Sequence, residues 1–117
     1  MKQIPESLLN TFRKYDTPTI VNSLELLDSK FRTSCFTTEQ MICADTTLPP
    51  IVGYARTATI SASSEVDPNT KRDRSLAYYE YVSSGTAPCI SVIQDVDESP
   101  GFGAFWGEVN SNIHNAL

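Results

Sequence analysis

Apolar residues near the start of the chain recur at the three- and four-residue spacing of an amphipathic helix. The residues with this spacing are Leu8, Leu9, Phe12 and Tyr15. They predict a short helix with one apolar face. Behind it, Asp16 can cap a helix and Pro18 suits a first turn. A second apolar stripe, Ile20, Leu24 and Leu27, therefore predicts a second helix from about Pro18 to Leu27.

The middle of the chain contains one clear β pattern between two irregular segments. Asp28–Pro50 is rich in Thr and Ser and predicts a long connection. Ile51–Ile60 alternates between two faces and predicts a strand. Ser61–Arg74 is polar and contains the breaker Asp67-Pro68-Asn69, which predicts a surface loop. The residues expected on the first strand face are Val52, Tyr54, Arg56, Ala58 and Ile60.

The second half reads as helix, strand, loop and helix. Ser75–Ser84 predicts a helix that Gly85 ends in the left-handed conformation, and its shared face holds Leu76, Tyr79 and Val82. The apolar run Cys89–Ile93 predicts a buried strand in a partly parallel sheet. After an acidic loop, a last helix carries Val109 and Ile113. This order predicts an α/β fold.

Composition fits one small globular domain over residues 1–117, with 40% hydrophobic and 20% charged residues. The formal net charge of -5 disfavours direct binding to nucleic acid. Neither an apolar run of membrane-spanning length nor a signal peptide is apparent, so we expect a cytoplasmic protein without membrane contact. Cys35, Cys43 and Cys89 indicate neither a disulfide framework nor a zinc site, and we expect three reduced cysteines packed as small apolar residues.

The segment Asp95–Leu117 is the most informative for function. It places Gly101, Gly103 and Gly107 between a strand and a helix, which is where α/β sheets bind ligands. These glycines would let the backbone approach a ligand closely, and the first turn of the helix favours a carboxylate or phosphate. The spacing matches neither the dinucleotide nor the P-loop pattern, so an ordinary glycine-containing loop with a helix cap remains open.

Three blocks of the sequence, in the right order, resemble the family of regulator of ribonuclease activity A (RraA-like) and hydroxymethyl-oxoglutarate aldolase. YDTPTIVNSLELL resembles that family's D-T-x-T helix start. VGYARTATI is similar to its G-x-A-x-T strand, and GAFWGEVNSNIHNAL to its small-residue loop leading into G-[DE]-x-[LN] and a helix. The resemblance implies a swivelling β/β/α domain that forms a homo-oligomer, trimer or hexamer.

Catalytic members of that family are divalent-metal-dependent lyases, using Mg or Mn, that cleave 4-hydroxy-4-methyl-2-oxoglutarate or decarboxylate oxaloacetate. The resemblance implies that Gly107, Glu108, Val109 and Asn110 form the turn that binds the small 2-oxo acid. Backbone amides would hold the carboxylate there, while the metal polarises the keto oxygen. Glu108 would contact the metal through water.

The resemblance also calls for an Arg-Asp pair on the next strand, beyond Leu117. We therefore expect a domain truncated after its central βα unit, without aldolase activity by itself. Arg72-Asp73 has the same dipeptide but precedes the turn, and we interpret it as a solvated pair near a helix start. The same family includes members without the pair, so a non-catalytic regulator that binds a ribonuclease or another protein is the alternative.

A third interpretation starts from Ile90–Ser99, which resembles the strand and D-x-D-x-[ST] opening of haloacid-dehalogenase-type phosphatases. It implies Asp95 as nucleophile and Asp97 as acid/base, both flanking magnesium; the alternative is a hydrated acidic loop. His114 is expected to be a surface or half-buried side chain rather than a general base. Three aromatic residues could line a pocket beside the turn or serve as core or subunit contacts: Phe102, Phe105 and Trp106.

Overall fold

The computed structural model describes residues 3–34 and 36–117. The chain divides into two compact units, of which the first ends at Val52 and the second is Gly53–Leu117. The elements are α1 (Glu6–Phe12), α2 (Thr17–Leu27), a 3₁₀ turn (Ser29–Arg32), β1 (Tyr54–Ile60), α3 (Pro68–Ser83), β2 (Cys89–Asp95) and α4 (Glu108–Ala116). Cys35 lies outside the described residues.

Both helices of the first unit form where the apolar spacing predicts them. Asp16 caps α2, because its Oδ1 accepts a hydrogen bond of 2.9 Å from the Thr19 amide. Leu9 on α1 is only 3% exposed. α2 covers the predicted range, and Leu27 at the end of its apolar stripe is 81% exposed. After the 3₁₀ turn, residues 36–52 contain no helix or strand, which confirms the long connection over that range.

The second unit is built on a parallel pair of strands. β1 and β2 pair from Tyr54 opposite Cys89 to Ile60 opposite Asp95. Since α3 lies between them in sequence, β1, α3 and β2 form a βαβ unit, which confirms the mixed α/β class and the parallel pairing. β1 begins at Tyr54 rather than Ile51, and its side chains alternate between half-buried and exposed as predicted.

The predicted loop Ser61–Arg74 is wrong in its second half, because α3 begins at Pro68. The Asp67 carboxylate accepts hydrogen bonds of 3.1 Å from the amides of Asn69 and Thr70. Proline at the first helical position has no amide hydrogen to satisfy. The same three residues that look like a breaker therefore form a helix start.

Two predictions about burial are wrong, one for β2 and one for the cysteines. β2 is not a buried strand, because Cys89 and Val92 are exposed, and in the described sheet it pairs with β1 alone. Leu76 on α3 is also exposed, and Val82 is the buried residue of that helix. The expected burial of the cysteines fails at Cys43 and Cys89, both free and exposed.

Gly85 follows the end of α3 but does not adopt the left-handed conformation. Its role is to leave space: a Cβ at this position would lie 2.5 Å from Arg56 Nε and 2.6 Å from Cys89 Sγ. Arg56 also donates to Ser84 Oγ at 3.3 Å, and its guanidinium lies 4.6 Å from the centre of the Tyr81 ring. A strand arginine thus connects β1 to the end of α3.

None of the helices in the described part of the chain is both long and apolar enough to cross a membrane.

Candidate functional site

The carboxyl ends of β1 and β2 lie side by side, because the strands are parallel and Ile60 pairs with Asp95. Each strand leads directly into a loop at this edge. The Val96 amide extends the pairing by donating to Ile60 O at 2.9 Å. In an open parallel sheet, this is the edge where ligands bind. The loop after β2, which belongs to the segment Asp95–Leu117, therefore begins at this edge of the sheet.

Asp97 joins the two loops at this edge. Its Oδ2 accepts from the amides of Ala62 (2.7 Å) and Ser63 (3.1 Å). Its Oδ1 accepts from the Ser63 hydroxyl (2.7 Å) and from the Ser61 hydroxyl. Asp97 is 9% exposed and is the only polar residue buried in the described part of the chain. The Ser61 and Ser63 hydroxyls, followed by the Ala62 amide, lower the pKa of Asp97 to about 2.

The Asp95 carboxylate accepts hydrogen bonds from amides of its own loop, the one that follows β2. Its Oδ1 accepts from the Asp97 amide at 3.0 Å and its Oδ2 from the Gly101 amide at 2.7 Å. Both carboxylates proposed for phosphatase chemistry therefore accept hydrogen bonds from loop groups. Both oxygens of Asp97 accept from the loop after β1, and the phosphatase roles of Asp95 and Asp97 stay a prediction.

The three glycines of this loop have different structural roles. Gly101 has φ of 85°, the left-handed region that favours glycine. Gly103 lies so close to Ala62 that a Cβ would overlap the Ala62 Cβ. Gly107 is extended, with φ of -166°, and a Cβ there would meet nothing within 4 Å. Gly103 is thus the glycine that lets the loops after β1 and β2 approach closely, and the expected approach to a ligand stays a prediction.

The predicted binding turn, Gly107 to Asn110, forms the start of α4. Glu108 is the first helical residue, and no side chain within the described residues caps this helix. Gly107 and Glu108 are exposed, and Val109 is 72% exposed. The amides of a first helical turn have no partner within the helix. This turn therefore presents amide hydrogens where the resemblance expects the carboxylate of the substrate.

Asn110 differs from the other three residues, because its side chain is used to fix α4. Its Oδ1 accepts from the Tyr79 hydroxyl at 2.6 Å, and its Nδ2 donates to the carbonyl oxygen of Phe105. These bonds connect α3, the loop before α4 and α4 itself. Asn110 thus orients the turn, and its side chain is not free to bind a ligand in this arrangement.

His114 lies one turn further along α4 and is half-buried, as expected from the sequence. Because a carbonyl oxygen only accepts, His114 Nδ1 carries the hydrogen and donates to Asn110 O at 2.6 Å. In the neutral ring, Nε2 then accepts from the Tyr78 hydroxyl at 2.8 Å. The Trp106 ring lies with its centre 4.7 Å from that of His114. The ring is therefore engaged on both nitrogens.

The aromatic residues near the turn divide into two groups. Phe105 and Trp106 pack with His114 and Tyr78, whereas Phe102 is 86% exposed. Sequence reasoning placed Tyr79 only on an apolar helix face and did not single out Tyr78. The period of a helix indicates which face is covered, but it carries no information about a hydroxyl partner on a distant helix.

Replacing Tyr79 with phenylalanine is expected to destabilise the chain by about 1 kcal/mol, because Asn110 Oδ1 loses its donor in a half-buried position. Urea denaturation followed by circular dichroism measures the change. Tyr81→Phe is the matched control: its ring stays against the Arg56 guanidinium, and we expect a change below about 0.5 kcal/mol. Equal losses in the two variants would show that the Tyr79 hydroxyl does not fix α4.

Across residues 3–34 and 36–117, no three His, Cys, Asp or Glu side chains are close enough to hold a metal ion. Glu108 offers one exposed carboxylate at the turn. Arg72 and Asp73 are both exposed, as expected, but they lie within α3 rather than in a loop before a helix.

Comparison with known proteins adds no relative: the chain matches no protein-family model, no curated protein and no solved structure.

Proposed function

We propose that this chain supplies the 2-oxo-acid-binding turn of a cytoplasmic, divalent-metal-dependent aldolase or decarboxylase with the swivelling β/β/α fold. The observation that carries the proposal is the uncapped first turn of α4, exposed beyond the end of a parallel strand. The resemblance of three sequence blocks to the RraA-like family supports it. Substrates of this class are 4-hydroxy-4-methyl-2-oxoglutarate and oxaloacetate, and the assembly would be a trimer or hexamer.

The chemistry assigned to this chain is binding and orientation. Amides of Glu108, Val109 and Asn110 would donate to the carboxylate next to the keto group, and the positive end of the helix dipole favours that anion. The hydrogen bonds of Asn110 hold the turn in place. The metal of the family, Mg or Mn, would polarise the keto oxygen. Glu108 would contact that ion through water, and the remaining metal ligands are not assigned to the described residues.

A proline at position 108 tests the amide role. The first helical position accepts proline, so Glu108→Pro removes one amide donor while the helix persists. Glu108→Gln removes the charge and keeps the amide. We expect Glu108→Pro to bind oxalate or pyruvate roughly tenfold more weakly than Glu108→Gln, as for loss of one hydrogen bond to a charged group. Titration of wild type and both variants by two-dimensional NMR, with and without Mg²⁺, measures the affinities.

The wild-type titration tests the proposal at each amide of the turn separately. Oxalate and pyruvate should shift the amide signals of residues 108–110 with one shared binding curve, and chloride at the same ionic strength should not. Unmoved signals at these positions, or equal affinities in Glu108→Pro and Glu108→Gln, would count against an oxo-acid site at the turn.

A non-catalytic regulator that binds a ribonuclease or another protein is the second candidate. It is favoured by the exposure of two large apolar side chains, Phe102 in the loop before the turn and Val109 within the turn. A regulator would bind its ribonuclease through these residues. Calorimetric titration with the double variant Phe102→Ser, Val109→Ser should then show lost binding, whereas oxo-acid binding by backbone amides should persist.

A further inference from the structure

The segment Ser61–Ser63 directs four hydrogen-bond donors toward one point. Two are backbone amides, of Ala62 and Ser63, and two are the hydroxyls of Ser61 and Ser63. The amides serve one oxygen of the Asp97 carboxylate and the hydroxyls serve the other. Two donors on each oxygen of a planar group is the arrangement that a carboxylate requires.

Ser61–Ser63 and the Asp97 carboxylate that accepts its hydrogen bonds belong to different loops. Ser61–Ser63 follows β1, whereas Asp97 follows β2 and is separated from these residues by most of the βαβ unit. Ala62, Ser63 and Glu98 are exposed, so this contact lies directly beneath the surface. It is also at the edge of the sheet where α/β proteins bind ligands.

We propose that Ser61–Ser63 is a carboxylate receptor, separate from the first turn of α4, and that Asp97 is its built-in ligand. The ligand class is a carboxylate, because the resident group is one and each of its oxygens is matched by two donors. An external carboxylate competes with Asp97 for the same four donors. This inference does not depend on the proposed function of the α4 turn.

Replacing Asp97 with alanine tests this proposal, because it removes the resident carboxylate from Ser61–Ser63. In Asp97→Ala, the donors of Ser61–Ser63 lose their acceptor, and formate can take the place of the missing carboxylate. We expect formate to shift the Ala62 and Ser63 amide signals saturably, with a dissociation constant of about 1 mM or weaker, the limit for so small a ligand. Acetate should act similarly, and sodium chloride at equal ionic strength should not. Wild type should bind at least about tenfold more weakly, since Asp97 occupies the donors.

The matched control removes the hydroxyl donors from the emptied receptor. Asp97→Ala combined with Ser61→Ala and Ser63→Ala should bind formate roughly tenfold or more weakly than Asp97→Ala alone. If Asp97→Ala does not fold in chloride, formate binding to the native state should restore folding as the formate concentration rises above the dissociation constant, which circular dichroism detects.

Two results would overturn the proposal. One is an Asp97→Ala protein whose Ala62 and Ser63 amides respond equally to formate and chloride, or whose folding formate does not restore. The other is undiminished formate binding after both hydroxyls are removed. These results come from formate acting on Asp97 variants, so they are independent of the oxalate titration read at residues 108–110.

Discussion

Replacing Gly103 with alanine is expected to destabilise the chain by about 1–3 kcal/mol, whereas Gly107→Ala should change stability by less than about 0.5 kcal/mol. A methyl group at position 103 would overlap the Ala62 Cβ, so the loops after β1 and β2 would have to move apart. At position 107 the backbone is extended and a Cβ meets nothing within 4 Å. The two substitutions have the same chemistry and differ only in their surroundings.

Urea denaturation followed by Trp106 fluorescence and by circular dichroism measures both variants. The comparison matters for function, because separation of the loops in Gly103→Ala should also disturb the hydrogen bonds of Asp97 to Ala62 and Ser63. We therefore expect shifts of the Ala62 and Ser63 amide signals in Gly103→Ala and unchanged signals in Gly107→Ala. Equal stability of the two variants would refute the close approach of the loops.

Local patterns were sufficient to predict the elements themselves. The apolar spacing predicts α1 and α2, and the Asp16 cap forms within three residues of the side chain that makes it. The alternation in β1 is also local, and the structure preserves it. Where the local signal was ambiguous, the prediction failed: Asp67-Pro68 serves equally as a turn or a helix start, and the structure uses it as a start.

Burial and long-range partners were beyond the reach of the same patterns. Apolar periodicity predicts which face turns inward, but whether a neighbour covers that face depends on the rest of the fold. Leu27 and Leu76 are exposed for this reason. Gly85 shows the same limit. The sequence predicted a left-handed backbone, whereas in the structure a Cβ at this position would clash with the side chains of Arg56 and Cys89.

The candidate site was predicted at the level of a segment rather than of its side chains. The strand, glycine loop and helix place Gly107 to Asn110 at the start of α4, and their role in binding stays a prediction. The pattern could not reveal that Tyr79 fixes Asn110 or that Asp97 is bound by the loop after β1. Those partners are brought together only when α4 lies beside α3 and β1 pairs with β2.

Acid is expected to remove the stability that Asp97 contributes, over the interval from about pH 4 to about pH 2. Hydrogen bonds from Ser61 and Ser63 lower the pKa of Asp97 from 3.8 to about 2. A carboxyl whose pKa is lower in the folded state stabilises that state above its unfolded pKa, and the contribution falls as pH decreases toward the folded pKa. Wild type should therefore exceed Asp97→Asn in stability at pH 6, and the difference should shrink below pH 4.

The midpoint of urea unfolding, measured for both proteins at pH 6, 4, 3 and 2, tests this expectation. The asparagine can accept from the two amides through Oδ1 and donate to the two hydroxyls through Nδ2, so the variant should fold and the difference reports the charge. Asp16, Asp28, Asp45 and Asp67 also have lowered pKa values, but they are common to both proteins and cancel. Asp73→Asn, at an exposed position on α3, is the matched control for removing a carboxylate elsewhere in the chain. A difference between wild type and Asp97→Asn that stays constant from pH 6 to pH 2 would mean that the carboxylate is not held by the loop after β1, and the carboxylate receptor would lose its basis as well.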